Sequence, residues 1–433
     1  MAVRLLTRPF TFTPLLRSAA PPFLKTKNST FCTSSSMTAS ASSRKALVPI
    51  ANGTEPMEAV YIIDVLRRGG ADVTVASVEN RLLVDACHGI KIVADALITD
   101  STSTVFDLIA LPGGMPGANA LRDSKELQYL VKKQAEEGRL YAAVCASPAV
   151  VLGSWGLLKG LKATCYPSFM EQLASSAATT VESRVHKDGN VITSRGPGTT
   201  MEFAVALVEH LCGKEKADEI VGPLVMRPNP GEEYIITEFN AMEWTFDNTP
   251  QILVPIANET EEMEAVTIID VLRRAKANVV VASVMGNLEI LARRETKLVA
   301  DVLLDEASTL SYDLIVLPGG LGGAKTFAAS EKLVDMLKKQ RDANRPYGAI
   351  CASPAYVLEP HGLLKGKKAT AFPPMCNELS DQSEINNRIV IDGNLITSRG
   401  PGTALEFALA IVEKFFGRKK ALELAKVMIF LHP

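Results

Sequence analysis

The sequence predicts an α/β fold made of two tandem doubly wound domains, each with a parallel central sheet. The first observation is a long internal repeat, because the segment VPIANGTEPME at 48–58 returns as VPIANETEEME at 254–264. A repeat of this length indicates a duplicated domain, since solenoid units span only ~20–50 residues. The second observation is that short β-branched runs alternate with longer amphipathic stretches in each copy. That alternation is typical of a parallel sheet covered by helices on both faces.

The elements of the first copy are assigned in chain order. Apolar runs are interpreted as strands and amphipathic runs as helices, with Pro56 and Ser124 as helix start signals. The pair Asp188-Gly189 marks the turn of a hairpin. The predicted order is strand 46–51, helix 56–68, strand 71–77, strand 106–111, helix 124–137, strand 140–144, a helix from Ser147, hairpin 181–193 and helix 199–211. This order is flavodoxin-like.

The repeat also sets the domain organisation of the 433-residue chain. We expect a first domain over 46–225 and a second over 251–433, each long enough to bury a core of its own. The stretch between them, 226–250, is punctuated by proline and is predicted to be a linker.

The first 45 residues differ from the rest, because they hold seven Arg or Lys, no Asp or Glu, and about one third Ser or Thr. This composition is typical of an organellar transit peptide and lacks the apolar core of a secretory signal. We predict a chloroplast location, with the mitochondrion as the alternative. A tail without an address is the other interpretation, and translation from Met37 would give a cytosolic form.

Bulk composition excludes several classes of function. A formal net charge of -2 gives no electrostatic basis for binding nucleic acid or an anionic membrane, and no apolar run is long enough to span a bilayer. The seven cysteines lack CxxC or Cys/His ligand spacing, so neither a disulfide framework nor a metal site is predicted. No cofactor is expected. Cys87, beside His88, is either an ordinary structural cysteine or a redox-responsive one.

Three segments of each copy follow the carboxyl ends of predicted strands, where ligands bind in open α/β sheets. In the first copy they bring Glu58, Gly113, Gly114 and Cys145 to one place. The second copy repeats the set, with Glu264, Gly319-Gly320 and Cys351. We therefore expect one pocket in each copy.

Cys145 lies between an apolar strand and a helix, in the setting of a nucleophile elbow. The positive end of the helix dipole predicts a thiolate there. Glu58 would hydrogen-bond the sulfur as a neutral acid or take a proton from a substrate. The amides of the Gly-Gly pairs and of the residue after each cysteine, Ala146 and Ala352, are predicted to stabilise an oxyanion.

In these residues the chain resembles the DJ-1/PfpI superfamily, and in particular the tandem DJ-1 proteins of plants. The resemblance covers both copies almost end to end and rests on the following paired motifs: PME at 56–58 with EME at 262–264, DVLRR at 64–68 and 270–274, LPGG at 111–114 and 317–320, AVCASP at 143–148 with AICASP at 349–354, and TSRGPGT at 193–199 and 397–403.

The resemblance implies that Cys145 and Cys351 are oxidisable nucleophiles and that Glu58 and Glu264 hydrogen-bond them. It implies protection against oxidative stress and glutathione-independent conversion of methylglyoxal, a small 2-oxoaldehyde, to lactate; a protein deglycase activity has also been proposed for the family. Single-domain members form homodimers, so an internal pseudo-dimer of the two copies is expected.

One departure from the family matters for chemistry. Where the family has His in a Thr-His-Pro sequence, the first copy has Tyr166 and the second has Phe372. Phenylalanine cannot move a proton, and tyrosine is a poor base at neutral pH. We therefore expect slow glyoxalase turnover, carried by the first copy if either copy is active.

The alternative is a redox sensor or chaperone-like protein that acts through oxidation of Cys145 and Cys351 and binds stress-related protein partners. A PfpI-like peptidase is the third and weakest interpretation, because it also requires a His beside the Cys.

Overall fold

The computed structural model describes residues 43–176 and 178–431, which belong to one compact unit. The predicted transit peptide lies outside the described residues except for its last three positions. Among the helices of the described segments, none combines the length and the apolar character needed to cross a membrane.

The first copy is built around a seven-stranded sheet with the order β10-β11-β7-β6-β1-β2-β5. Neighbouring strands are parallel except for the hairpin β10–β11. Its strands are β1 Lys45–Ile50, β2 Asp72–Ser77, β3 Leu83–Asp85, β4 Lys91–Val93, β5 Ala96–Leu97, β6 Leu108–Leu111, β7 Leu140–Val144, β8 Lys162–Ala163, β9 Thr179–Thr180, β10 Val185–Asp188 and β11 Val191–Ser194. Its helices are α1 Pro56–Arg68, α2 Gly117–Asp123, α3 Lys125–Glu136, α4 Met170–Ser175, α5 Thr200–Cys212 and α6 Lys214–Leu224.

The second copy repeats this plan in an eight-stranded sheet with the order β12-β20-β21-β19-β18-β13-β14-β17. Its strands are β12 Thr237–Phe239, β13 Gln251–Ile256, β14 Asn278–Ser283, β15 Glu289–Leu291, β16 Lys297–Val299, β17 Val302–Leu303, β18 Leu314–Leu317, β19 Tyr347–Ile350, β20 Ile389–Asp392 and β21 Leu395–Ser398. Its helices are α7 Glu262–Arg274, α8 Leu304–Ala307, α9 Leu321–Ala329, α10 Glu331–Asp342, α11 Ala404–Phe416 and α12 Arg418–Val427.

Both faces of the first sheet are covered, as the continuous apolar strands predict. Val48 and Ile50 of β1 pack in the same core as α1 and α5, whereas Leu47 packs in the core that contains α2 and α3. Successive side chains of a strand point to opposite faces, so a fully apolar strand requires a layer on each side. The predicted α/β doubly wound class is confirmed.

The segment 226–250, predicted to be a linker, also packs against the second copy. Its strand β12 pairs with β20, and Trp244 is buried with its indole N–H donating to the Gly393 carbonyl over 3.1 Å. Aromatic burial of this kind ties a proline-rich stretch to the domain beside it.

The two copies pack against each other through α1 and α7. The hydroxyls of Tyr61 and Thr267, which occupy equivalent positions of the repeat, lie 2.8 Å apart. Two reciprocal ion pairs flank them: Arg68 with Glu261 at 2.6 Å, and Arg274 with Glu55 at 2.7 Å. Strands β4 and β16 join the copies in a further four-stranded sheet, β15-β16-β4-β3. Each copy therefore contributes an arginine close to the N-terminal end of the other copy's helix, the end that carries Glu58 or Glu264.

Candidate functional site

Cys145 and Cys351 occupy the sharp turns that follow β7 and β19. Their φ angles are 65° and 64°, in the left-handed region that non-glycine residues rarely adopt. Both cysteines are buried, and the hydroxyl of Ser147 fixes the first turn by donating to the Pro112 carbonyl over 2.6 Å. The predicted nucleophile elbow is therefore present in each copy.

Glu58 reaches this turn from the first turn of α1. The Glu55 side chain caps the helix by accepting the Glu58 amide over 2.7 Å. The Glu58 carboxyl then accepts the Gly113 amide through Oε2, also over 2.7 Å. A Cβ on Gly113 would lie 2.6 Å from the Cβ of Cys145, so only glycine allows this close approach. The structure thus brings together the Glu, Gly-Gly and Cys residues that the sequence assigns to one pocket.

Two of the four glycine amides that the sequence assigns to oxyanion holes are already hydrogen-bonded to a carboxyl group. The Gly113 amide is taken up by Glu58, as is the Gly319 amide by Glu264 over 2.7 Å. Burial raises the pKa of the two cysteine thiols, and the amides of Gly114 and Gly320 lower it in part.

Ala146 lines the cleft in front of Cys145. The oxyanion role of its amide, and of the Ala352 amide in the second copy, stays a prediction.

Burial raises the pKa of the Glu58 carboxyl to about 7. Hydrogen bonds with the Cys145 thiol and the Gly113 amide act in the opposite direction and lower it in part. Burial and the charge of an ionised Glu58 also raise the pKa of the Cys145 thiol well above its usual range. Because ionising both groups in one dry site is unfavourable, the pair retains at least one proton near neutral pH. The thiolate exists when that proton lies on Glu58.

This direction corrects the sequence-based prediction of a lowered thiol pKa. The helix after Cys145 is a π-helical turn of six residues, Pro148–Gly153, and not a long α-helix. Its dipole is therefore weak compared with the cost of burying a charged sulfur. The neutral Glu58, and not the helix, is the group that can stabilise a thiolate here.

The second copy repeats the arrangement. Burial raises the pKa of Glu264 to about 7 and raises the pKa of Cys351 well above its usual range. In both copies the second carboxyl oxygen, Oε1, is buried without a well-aligned hydrogen-bond partner among the described residues. That oxygen is free to interact with the sulfur or with a group bound to it.

A cleft of about 290 Å³ opens in front of Cys145, and residues of the second copy form part of its wall. Its lining residues are Glu55, Cys87, His88, Gly114, Met115, Cys145, Ala146, Tyr166, Phe169, Pro197, Arg274 and Val427. Tyr166, at the position of the family histidine, donates its hydroxyl to the Val427 carbonyl over 3.0 Å. Burial raises the pKa of this phenol, so Tyr166 closes the cleft and is a poor base. Phe372 offers no equivalent hydroxyl.

Glu55, His88 and Arg274 also line this cleft, and sequence reasoning missed all three. Glu55 is buried and forms an ion pair with Arg274 over 2.7 Å. Burial and the charge of Asp270 raise the pKa of its carboxyl well above the usual range. The signal available in the sequence was the difference between repeats, because Arg294 stands where the first copy has His88.

A metal site has one geometric candidate among the described residues. Carboxylate oxygens of Asp64, Glu261 and Glu262 lie within 4.8 Å of one another and are buried. Arg68 donates to both Asp64 and Glu261, so a protein cation already pairs with two of the three carboxyl groups.

Comparisons with known proteins give a consistent result. The profile of the DJ-1/PfpI family matches residues 44–210 and 250–414. The chain is 66% identical over 421 residues to Protein DJ-1 homolog B of Arabidopsis thaliana, covering 97% of this chain and 96% of that protein. It is 64% identical over 386 residues to Protein DJ-1 homolog A of the same plant, covering 89% and 98%. One copy is 34% identical over 172 residues to Glutathione-independent glyoxalase DJR-1.2 of Caenorhabditis elegans, covering 40% and 90%.

Proposed function

Because the chain belongs to the DJ-1/PfpI family, we propose that it protects against oxidative and carbonyl stress and that its first copy is a glutathione-independent glyoxalase. The substrate is a small 2-oxoaldehyde such as methylglyoxal, and the product is lactate. The supporting observation is the Glu58 carboxyl, with a pKa of about 7, beside the buried Cys145 at the base of an open cleft. The name of the nematode relative, at 34% identity, agrees with this assignment.

The proton shared by Glu58 and Cys145 accounts for the first step. The thiolate attacks the aldehyde carbon, a C–S bond forms, and protonated Glu58 gives its proton to the aldehyde oxygen. The product is a hemithioacetal beside an ionised Glu58. A carboxyl with a pKa near the working pH is suited to both roles, as donor and then as base.

The second step uses the carboxylate that the first step leaves behind. Glu58 removes the proton from C1 and returns it to C2, and the electron pairs rearrange through an enediol to a thioester. Water then cleaves the C–S bond, which releases lactate and regenerates the thiol. No external oxidant or reductant is consumed, because C1 is oxidised as C2 is reduced.

The test is lactate formation from methylglyoxal, without glutathione, by the full chain and by Cys145→Ala, Cys351→Ala and the double variant. We expect Cys145→Ala to abolish turnover and Cys351→Ala to keep most of it. Cys212→Ala, a cysteine at the end of α5, is the matched control. Turnover that survives Cys145→Ala at the wild-type rate would refute the proposal.

A redox role for Cys145 and Cys351 is the second candidate, favoured by the Oε1 atoms of Glu58 and Glu264, which are buried without a hydrogen-bond partner among the described residues. Two equivalents of peroxide convert the thiolate to a sulfinate and release two waters, and a protonated Glu264 can donate to a sulfinate oxygen. The consequence would be altered binding of protein partners or a chaperone-like function.

Intact mass after peroxide treatment tests this role. We expect Cys351 to gain two oxygen atoms in the wild type and to proceed to three in Glu264→Gln, with Glu243→Gln as control. The same end product in both proteins would contradict the role of Glu264.

A further inference from the structure

We propose that His88 transfers protons to and from the substrate in the first-copy site, in a tautomer fixed by Asp270 of the second copy. The inference rests on the glyoxalase function proposed above. It assigns to a residue outside the family motif the part that Tyr166 and Phe372 cannot play.

His88 lies in the wall of the cleft that contains Cys145 and Tyr166. Its side chain is 30% exposed, so a small molecule in the cleft can reach the ring. The other histidines of the described residues lie elsewhere: His210 and His361 bond carbonyls of their own helical turns through Nδ1, and His186 lies on β10. Among the cleft-lining residues, His88 is therefore the one imidazole.

Asp270 fixes the orientation of this ring. The Nδ1 atom of His88 lies 2.5 Å from Oδ1 of Asp270, which is fully buried on α7. The other oxygen of Asp270 accepts the Arg274 guanidinium over 2.5 Å. A carboxylate paired with arginine is ionised and can only accept, so Nδ1 carries the proton. In the neutral ring the lone pair of His88 is then on Nε2.

The second copy also holds the backbone of this residue. His88 has a φ of 57°, in the left-handed region, inside the turn Cys87–Gly89. Arg273 donates to the carbonyls of His88 and Gly89 over 2.9 and 3.0 Å. Side chain and main chain are thus both fixed by α7, which is the arrangement expected of a preorganised proton-transfer group.

The repeat provides an internal comparison. The position equivalent to His88 is Arg294, which cannot give up its proton at neutral pH. Burial and the charge of Arg68 lower the pKa of Arg294, but a guanidinium keeps its proton in proteins even so. The two copies therefore share Glu and Cys but differ in the third group, and only the first has a base at this point.

The proposed step concerns the two oxygens of the substrate, while Glu58 moves the proton between its carbons. Nε2 of neutral His88 takes the proton from the hemithioacetal hydroxyl on C1 and delivers it to the ketone oxygen on C2. The C1–O bond becomes the thioester carbonyl and the C2 oxygen becomes the lactate hydroxyl. The imidazole ends the step neutral, so atoms, charge and electrons balance.

The experiment removes the ring and supplies it again in solution. His88→Gly suits the positive φ and should fold, which the unfolding midpoint checks. We expect its lactate formation to fall by about 10²-fold or more. Millimolar imidazole should restore part of that loss in His88→Gly but not in His88→Gln, whose side chain fills the space. Wild-type protein and His210→Gln, each with imidazole, are the controls.

The outcomes separate this inference from the function on which it rests. If Cys145→Ala abolishes turnover while His88→Gly leaves it unchanged, the glyoxalase stands and the role of His88 is overturned. A loss in His88→Gly that imidazole does not restore also overturns proton transfer by this ring. If the wild type gives no Cys145-dependent lactate, the proposed function itself fails and the inference falls with it.

Discussion

The hydrogen bond between Tyr61 and Thr267 joins the two copies at equivalent positions of the repeat, and its removal should reveal how strongly they are coupled. The two hydroxyl oxygens are 2.8 Å apart, and the residues are 4% and 0% exposed. We consider Tyr61→Phe, Thr267→Val and the double variant, with Tyr129→Phe as control because Tyr129 is 56% exposed.

The magnitudes follow from what each substitution leaves behind. Thr267→Val leaves the Tyr61 hydroxyl buried without its partner, which costs about 1–3 kcal/mol. Tyr61→Phe leaves the threonine hydroxyl, which can turn to the carbonyl four residues earlier on its own helix and so costs about 1 kcal/mol or less. The double variant leaves no unpaired hydroxyl. It should therefore be more stable than the sum of the single losses predicts, by about 1–2 kcal/mol.

Urea unfolding of the full chain, followed by circular dichroism, measures these free energies. Tyr129→Phe should leave the midpoint unchanged. If the losses of the two single variants simply add in the double variant, Tyr61 and Thr267 do not bond each other. The coupling of the two copies through this pair of hydroxyls would then be refuted.

Two further predictions concern the site. A carboxyl whose pKa rises to about 7 on folding holds its proton better folded than unfolded, so the free energy of unfolding should fall as pH rises from about 4.5 to about 7. Glu58 and Glu264 each account for about 3 kcal/mol of that fall. Replacing both, by Glu58→Gln and Glu264→Gln, should flatten the measured dependence of the unfolding free energy on pH. An unchanged pH dependence would contradict this prediction. Gly114→Ala should destabilise far more than Gly160→Ala in thermal unfolding. Both glycines have positive φ, so the backbone strain of an alanine is similar at the two positions. A Cβ on Gly114 would lie 2.3 Å from the Glu55 nitrogen, whereas one on Gly160 meets nothing within 4 Å. Equal losses of stability would show that backbone strain, and not the steric clash, sets the cost.

Sequence alone was sufficient for the parts of the site that depend on local signals. The strand before Cys145 and the helix carrying Glu58 were predicted with bounds close to 140–144 and 56–68, because apolar runs and the proline start are local properties. Their convergence follows from a general rule of parallel sheets. The family membership that those motifs indicated is shown by the comparisons.

The rest depends on contacts between residues about 200 positions apart. The hydrogen bonds that His88 makes to Asp270 and Tyr166 makes to the Val427 carbonyl join different copies. Hydrophobic periodicity within one copy cannot reveal them. The pKa of Cys145 was predicted in the wrong direction because the sequence shows the following helix but not the depth of burial. Strands β3 and β4 were missed since the sheet that they form is completed by β15 and β16 of the other copy.

Fusing two copies in one chain frees each half from the identity that a homodimer imposes. In a symmetric pair, a substitution at one site appears at both, so a change useful on one side must be tolerated on the other. Here equivalent positions of the repeat already hold unlike residues, as Pro56 and Glu262 or His88 and Arg294 show. A single chain can therefore carry catalysis in one half and redox sensing in the other. The two halves are covalently linked, so they do not dissociate when the protein is diluted.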